Sequence, residues 1–387
     1  MPTPAEIDEQ IKLERDAISQ GLKKLHKNTY DLEAKSYASA SVYGVASIDT
    51  LLPLVVAHIE ATNNRITKGK AGHVFKEIAQ YLADVEPLAA AAISIKITFD
   101  KVFSTLEDSN KLSDIVVKIG KGVEDECQMR HYEKHAPGLL KVLKDNYWHR
   151  SIGTQQKLTV IQTLMNRYEV KQWSTWGRAN RIRLGGWLLD CIMQASNWFT
   201  KDMRQEGRKR VHYVIPTPEF LEIKDAVMRD AELFSPLAWP MLIEPNDWSN
   251  THYGGYVLNE VMKGHDMVRR GHPTCIQGET PITFLNKIQK VSYKLNEYIV
   301  EVAEELDRLE RAVGKFLPII HHPMPPKPPD IATNKDARKA YRRAAAEVMN
   351  RQASEFKKSC RTRMTMEAVK RFKDRDKFYI PHSFDYR

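Results

Sequence analysis

The chain has 387 residues, 42% apolar residues and a formal net charge of +10, and this length allows two or three domains with a sizeable core. No continuous apolar run reaches the roughly 18 residues that span a bilayer, and the acidic N-terminus lacks the apolar segment of a secretory signal. Four cysteines stand far apart without a CxxC pair, which argues against disulfides and zinc and favours an intracellular setting.

The basic surplus is concentrated in the last part of the chain. From Lys335 to Arg387 there are 16 Lys and Arg against 7 Asp and Glu, a net charge of +9. The preceding 334 residues carry 43 against 42, a net charge of +1. A basic excess confined to one segment favours a polyanionic partner, and a solvated helical face is the alternative.

Helical periodicity dominates the first 200 residues. The stretch "NNRITKGKAGH", with two glycines, predicts a loop at residues 62–73. Basic and amide side chains in such a loop can neutralise phosphates or reach into a narrow AT-rich minor groove. The candidates are Asn63, Asn64, Arg65, Lys68 and Lys70. An ordinary flexible loop is the alternative.

Residues 202–216 have a different pattern. Val211, Tyr213 and Ile215 alternate with period two after a polar, glycine-containing stretch, which predicts a β-hairpin. Such a tip can separate base pairs while its cations hold phosphates; a solvated turn is the open alternative. The candidate cations are Arg204, Arg208, Lys209 and Arg210.

Apolar residues from Ile288 to Phe316 follow one another in steps of three or four. They predict one helix of roughly 35 residues, about 50 Å long. A stiff Pro-rich linker at 318–329 and a second, basic helical region follow, so residues 280–376 are expected to form a helical hairpin. A basic cluster in the second arm could follow a phosphate backbone or form a solvated face. Its members are Lys357, Lys358, Arg361 and Arg363.

Motifs of catalysis are incomplete. The stretch "KIGKGVEDE" lacks the GxxxxGK[ST] phosphate loop. His131 and His135 lie four residues apart, but the neighbouring acid is displaced from the HExxH pattern and no third ligand is evident. No aspartate pair suggests a two-metal site. The sequence therefore predicts no catalytic residue and no metal site.

Six stretches, in this order, carry a family resemblance: "LLPLVVAHI", "AISIKITFDKVF", "IGKGVEDE", "SPLAWPMLIEPNDWSNTHYGGY", "RRAAAEVMNR" and "FYIPHSFDYR". From about Ser47 to its end, the chain resembles the N-terminal portion of single-subunit, phage-type DNA-directed RNA polymerases, which bacteriophages and mitochondria share. The resemblance implies a mainly α-helical fold with one β-hairpin. It divides the chain into a promoter-binding domain at 1–279, a thumb at 280–376 and the first strand of a palm at 377–387.

The same resemblance implies roles by position. The 62–73 loop would contact AT-rich upstream DNA, and the hairpin would open the upstream edge of the bubble, with Val211 and Tyr213 nearest to the intercalating position. The thumb would grip template and RNA, and Arg387 would lie near the template and active centre. Residues 377–387 are expected to be poorly packed, because the palm core that they resemble does not follow in this sequence.

The complete enzyme would polymerise ribonucleotides on DNA with Mg²⁺, whereas for this chain we expect no cofactor and no polymerase activity alone. The expected partners are double-stranded promoter DNA, the template–RNA hybrid and, as an open option, a separate C-terminal polymerase polypeptide. We expect a monomer in the cytoplasm, of a host cell if the source is a phage, and no membrane partner. A stand-alone DNA-binding regulator derived from such a polymerase and a protein-binding helical scaffold remain alternatives.

Overall fold

The chain forms two compact units, one made of Met1–Gln20 with Pro236–Arg387 and the other of Gly21–Ser235. The structure is a computed structural model that describes residues 2–69, 78, 80–83, 85–147, 154–258, 265–268 and 276–385. Most of its regular structure is helical, so the predicted mainly α fold is confirmed.

The helices follow one another along the chain. Their bounds are α1 Pro4–Ala34, α2 Val42–Thr67, α3 Pro87–Val102, α4 Leu112–His135, α5 Pro137–Tyr147, α6 Thr154–Arg167, α7 Arg178–Ser196, α8 Pro218–Leu233, α9 Glu279–Gln289, α10 Glu297–Arg308, α11 Lys335–Lys358 and α12 Cys360–Phe372. Two antiparallel pairs of strands complete the described structure. They are β1 Phe199–Glu206 with β2 Lys209–Pro216, and β3 Ser292–Tyr293 with β4 Phe378–Tyr379.

The core of the Gly21–Ser235 unit is a helical layer of α2, α3, α4, α7 and α8. Local signals set the ends of these helices: Ser41 accepts a hydrogen bond from the amide of Gly44 at the start of α2, and Thr217 accepts one from Phe220 at the start of α8. Such side-chain caps satisfy amides that have no partner within the helix.

Helix α2 is long and apolar enough to cross a membrane by length and average composition, although Asp49 and Glu60 interrupt its apolar residues and no continuous apolar run reaches 18. The core helix of a soluble protein passes the same test. Leu51, Val55 and Ile59 of α2 are fully buried within the helical core. Packing inside this unit therefore accounts for the apolar residues on the buried face of α2.

Aromatic rings fix the base of the β1–β2 hairpin in that core. The Phe199 ring of β1 lies 5.4 Å from Phe99 and 5.8 Å from Phe220, centroid to centroid. Edge-to-face and stacked pairs at these separations add to the gain from area burial. Because Val214 of β2 is also fully buried, one end of the hairpin is anchored and the other projects from the core.

The C-terminal strand β4 belongs to the core of the other unit. Phe378 and Tyr379 are 7% and 4% exposed, and Tyr379 exchanges backbone hydrogen bonds of 2.7 and 2.8 Å with Met241. Phe378 also packs against Phe372 at 5.4 Å. The expectation that this stretch is poorly packed is therefore wrong for these two residues, because the segment around Met241, strand β3 and helix α12 cover them.

The predicted single helix of about 35 residues is also wrong. Helix α9 ends at Gln289 and α10 ends at Arg308, and the chain between them extends so that Ser292 and Tyr293 pair with Tyr379 and Phe378. Asn296 then starts a new helix by accepting a hydrogen bond from the amide of Ile299. Strand pairing and a helix cap thus interrupt a sequence whose periodicity is helical throughout.

The Pro-rich linker lies along α11, a helix without a buried residue. Gln352 fastens it from both sides, because its amide nitrogen donates to the carbonyl of Ile320 at 3.1 Å and its amide oxygen accepts from His322 N at 3.0 Å. Thr362 accepts a further bond from Leu317 N at 2.7 Å. An extended segment, instead of a long partner helix, therefore supports α11.

Candidate nucleic-acid interface

The predicted β-hairpin is confirmed, with Glu206 paired to Lys209 at its last rung. Gly207 and Arg208 form the two-residue turn, and Gly207 has a φ of +59°. Glycine adopts this left-handed conformation without the steric cost that a side chain brings. The tight turn keeps the tip narrow and brings consecutive basic residues to its end.

The hairpin cations fall into two groups. Arg208, Lys209 and Arg210 are exposed and form no ion pair within the part of the chain that the structure describes. Arg204 is already engaged, because its Nε donates to Asp202 at 2.8 Å and its guanidinium lies 4.6 Å from the centre of the Tyr213 ring. Three of the four predicted cations are therefore available to an external anion.

The structure changes the candidates for an intercalating side chain. Tyr213 is only 4% exposed and hydrogen-bonded, so it cannot leave its site without breaking the base of the hairpin. Val211 is half-buried and lies opposite Arg204. Met203, opposite His212, is 53% exposed and was missed, because the sequence does not show which face of a hairpin is covered.

The predicted 62–73 loop is a helix in its first part. Asn63, Asn64 and Arg65 lie in the last turns of α2, and Lys68 is its C-cap. The helix continues to Thr67 because the glycines that break the helical pattern come only at position 69 and beyond. Lys70 lies outside the described residues.

At this helix end the polar side chains remain accessible. Asn64, Arg65 and Lys68 are exposed, and Asn63 is half-buried. Among the described residues, no ion pair engages Arg65 or Lys68. Two cations near the C-terminus of a helix also offset its negative dipole, so part of their role is local.

The cluster at the junction of α11 and α12 is divided in the same way as the hairpin. Lys357 and Arg361 are exposed and have no ionic partner in the described part of the chain. Lys358 lies 3.5 Å from Glu355. Arg363 lies over the ring of Phe356 at 3.8 Å and donates to the Phe356 carbonyl at 3.2 Å. Arg387 lies outside the described residues.

A further basic stripe runs along the exposed side of α11. Its members recur at helical spacing, so their side chains share one face. They are Lys335, Lys339, Arg342 and Arg343. Their charges belong to the basic excess of the last part of the chain, and their helical spacing is the signal that could have assigned them to a site.

The two histidines of the i, i+4 pair both contact backbone carbonyls. His131 bonds through Nε2 to the carbonyl of Lys171 at 2.8 Å, and His135 bonds through Nδ1 to the carbonyl of His131 at 2.8 Å. Each bond occupies one nitrogen of its ring. Across the described residues no group of three His, Cys, Asp or Glu could hold a metal ion.

Comparison with known proteins identifies the family to which the chain is similar. Residues 9–270 match the family described as DNA-directed RNA polymerase N-terminal. The chain is 21% identical to T7 RNA polymerase of Escherichia phage T7, over 98% of the chain and 44% of the phage protein. It is 22% identical to the DNA-directed RNA polymerase of Enterobacteria phage K11, over 98% of the chain and 46% of that protein.

A plant relative has the same kind of name. The chloroplastic/mitochondrial DNA-directed RNA polymerase 2 of Nicotiana sylvestris is 22% identical over 60% of the chain and 25% of the plant protein. The chain spans less than half the length of these relatives. Because the family match covers more than half of the chain, the protein belongs to the DNA-directed RNA polymerase N-terminal family and corresponds to the N-terminal portion of a phage-type RNA polymerase.

Proposed function

We propose that the chain binds duplex promoter DNA and opens the upstream edge of the transcription bubble with the β1–β2 hairpin. The observation that carries this proposal is the set of unpaired cations at the hairpin tip, Arg208, Lys209 and Arg210. Cations at the end of an anchored, narrow element can hold two phosphate backbones while the element enters between the strands.

The proposal includes the basic stripe of α11 and the cations Lys357 and Arg361 as a grip on the template–RNA hybrid. Two units with accessible cations match the expectation for a protein that follows a nucleic-acid backbone over some length. No chemical step is proposed for this chain. Polymerisation of ribonucleotides with Mg²⁺ is proposed for the complete enzyme. The domain boundaries, the monomeric state and the cytoplasmic location stay predictions.

The first test replaces Arg208, Lys209 and Arg210 together by glutamine. We expect weaker binding to duplex DNA and a log K against log salt slope that is smaller by up to about 2.7, because each lost phosphate contact removes about 0.9. Fluorescence anisotropy of a labelled duplex at several salt concentrations measures both quantities.

The matched control replaces Lys23, Lys24 and Lys27 by glutamine. These lysines of α1 are exposed, and the change in net charge is the same. A slope that falls equally in both variants would mean that the hairpin contributes only general charge. A wild-type affinity that does not fall steeply with salt would contradict duplex DNA binding altogether.

A second test concerns the end of α2. We expect Arg65→Ala with Lys68→Ala to weaken binding to an AT-rich duplex by about 1–3 kcal/mol, the range for a lost specific arginine contact. The loss on a GC-rich duplex should be smaller, because a narrow AT-rich minor groove attracts cations most strongly. Competition binding with the two duplexes measures the difference, and equal losses would exclude a minor-groove contact.

A further inference from the structure

A group of four side chains joins the hairpin to the loop that precedes α4. The hydroxyl of Tyr213 lies 2.9 Å from Asp108 Oδ1 and also within hydrogen-bonding distance of Glu206; with one hydrogen, it donates to one carboxylate at a time. Lys111 Nζ lies 2.7 Å from Asp108 Oδ2 and 3.1 Å from Glu206 Oε2. We call Asp108, Lys111, Glu206 and Tyr213 the clamp.

Backbone pairing strengthens the same junction. Val214 N donates to the carbonyl of Asn110 at 2.9 Å, and the Asn110 side-chain amide donates back to the Val214 carbonyl at 3.1 Å. Lys111 forms an antiparallel bridge with Tyr213. The loop therefore acts as a short third strand beside β2.

The conformation of Asp108 indicates that this loop is built for the contact. Its φ of +58° lies in the left-handed region, which non-glycine residues adopt rarely and retain where surrounding contacts hold them. Here the holding contacts are those with Lys111 and Tyr213. Asp108 therefore keeps an uncommon backbone conformation that places its carboxylate beside the hairpin.

The clamp reaches almost to the hairpin tip. Glu206 occupies the last rung with Lys209, and its carboxylate turns back to Lys111 and Tyr213. The hydrogen bond from Tyr213, and then that from Lys111, holds the pKa of Glu206 below its ordinary value. Beyond the clamp only the turn and its cations are left, so the clamp limits how far the tip can swing.

We propose that the clamp positions the hairpin tip for strand opening, with Asp108, Lys111 and Tyr213 as positioning residues that do not themselves contact DNA. This inference rests on the proposed function, because it assigns a direction to a hairpin that meets duplex DNA. Binding needs cations close to phosphates, which a swinging tip also supplies. Entry between paired strands needs a tip that is held in one orientation relative to the rest of its unit, and the clamp holds the tip in this way.

The test is Tyr213→Phe in the full chain, which removes the shared hydroxyl and keeps the ring under Arg204. Spin labels at Arg208→Cys and Lys134→Cys, with Cys275 and Cys360 replaced by serine, report the distance from the tip to α4 without DNA. An AT-rich duplex containing 2-aminopurine reports strand opening, and the same sequence with a premelted segment reports binding alone.

We expect Tyr213→Phe to broaden the distance distribution and to lower duplex opening by at least about tenfold, which corresponds to the lower end of the range for one lost hydrogen bond to a charged group. Affinity for premelted DNA should stay within about twofold, because the tip cations remain. Lys111→Met should act in the same direction, and Lys111→Arg should retain most of the opening. Tyr168→Phe removes the hydroxyl of an exposed tyrosine and is the control.

Two results would overturn the clamp while leaving the proposed function intact: an unchanged distance distribution in Tyr213→Phe, or unchanged opening when the wild type opens the duplex. Equal losses on duplex and premelted DNA would also overturn it, since they would indicate a binding role. If the wild type neither binds nor opens DNA, the proposed function fails first, and the role of the clamp in opening fails with it.

Discussion

Replacing Gly185 by alanine is expected to destabilise the Gly21–Ser235 unit by about 3 kcal/mol, at the upper end of the usual cost of overpacking. A Cβ at this position would overlap the carbonyl oxygen of Val116 and lie 2.8 Å from its carbonyl carbon. Backbone atoms of α4 cannot rotate away as a side chain can. The two helices would have to separate, and their shared core would lose contact.

The neighbouring Gly186 is a matched control on the same helix. A Cβ there meets nothing within 4 Å, so Gly186→Ala should stabilise the helix by up to about 1 kcal/mol through its better helix propensity. Urea unfolding followed by circular dichroism compares the two variants with the wild type. Similar stabilities for Gly185→Ala and Gly186→Ala would contradict a tight contact between α4 and α7.

This contact matters for the proposed function because both ends of the hairpin assembly depend on it. Strand β1 follows α7 after a turn at Asn197, and the clamp loop with Asp108 and Lys111 directly precedes α4. Separation of the two helices would therefore move the hairpin away from the loop that holds Asp108 and Lys111. We expect Gly185→Ala to lower duplex opening more than binding, as Tyr213→Phe should.

Local patterns in the sequence were enough to predict the mainly helical fold and the β-hairpin. The period-two alternation around Tyr213 and the glycine at 207 are short-range signals, and the structure contains both the strands and the turn. The helix across residues 280–317 failed because its interruption is not local. Ser292 and Tyr293 extend to meet Phe378 and Tyr379, residues more than 80 positions away, and no local periodicity records such a pairing.

The sequence predicted which cations could belong to the candidate interface. It did not show which of them remain unpaired and can bind an external anion. Arg204 and Arg208 look alike in the sequence, yet one is held by Asp202 and Tyr213 and the other is unpaired within the described structure. The clamp could not be foreseen at all, since it depends on Asp108 and Lys111, which lie about 100 positions before Tyr213. Tertiary contacts decide which charges remain for a ligand.

Replacing Glu124 by alanine is the second change with a large expected effect. Its carboxylate is fully buried and joins α4 to α7, because Arg181 Nε lies 2.5 Å from Oε2. It also accepts a hydrogen bond of 2.9 Å from the backbone amide of Trp176. Loss of one partner from a fully buried pair costs about 3–5 kcal/mol, and we expect a loss at the lower end, about 3 kcal/mol, because the Arg181 side chain is 22% exposed and partly solvated.

The matched control on α4 is Glu126→Ala. Glu126 pairs with Arg130 at 2.9 Å, but both side chains are about one-third exposed, so the expected loss is about 0–1 kcal/mol. Urea midpoints at neutral pH give the comparison. Equal effects at Glu124 and Glu126 would mean that the buried pair does not stabilise the contact between α4 and α7.

The loss of stability caused by Glu124→Ala should also depend on pH. Burial raises the pKa of Glu124, but hydrogen bonds from Arg181 and from the amide of Trp176 outweigh it and hold the pKa below its ordinary value. A carboxyl group with a lowered folded-state pKa stabilises the fold above its unfolded pKa of about 4.3. This contribution is lost as the pH falls through the folded-state pKa.

The stability difference between wild type and Glu124→Ala should therefore be largest at neutral pH and should shrink as the pH falls below about 4.3. The contributions of the other carboxyl groups cancel in this difference. They include Asp125, because burial raises the pKa of its carboxyl group. Urea unfolding of both proteins between neutral and acidic pH measures it. A difference that grows on acidification would show that the Glu124 carboxylate is not the stabilised form, and the α4–α7 contact that carries the hairpin would then need another source of stability.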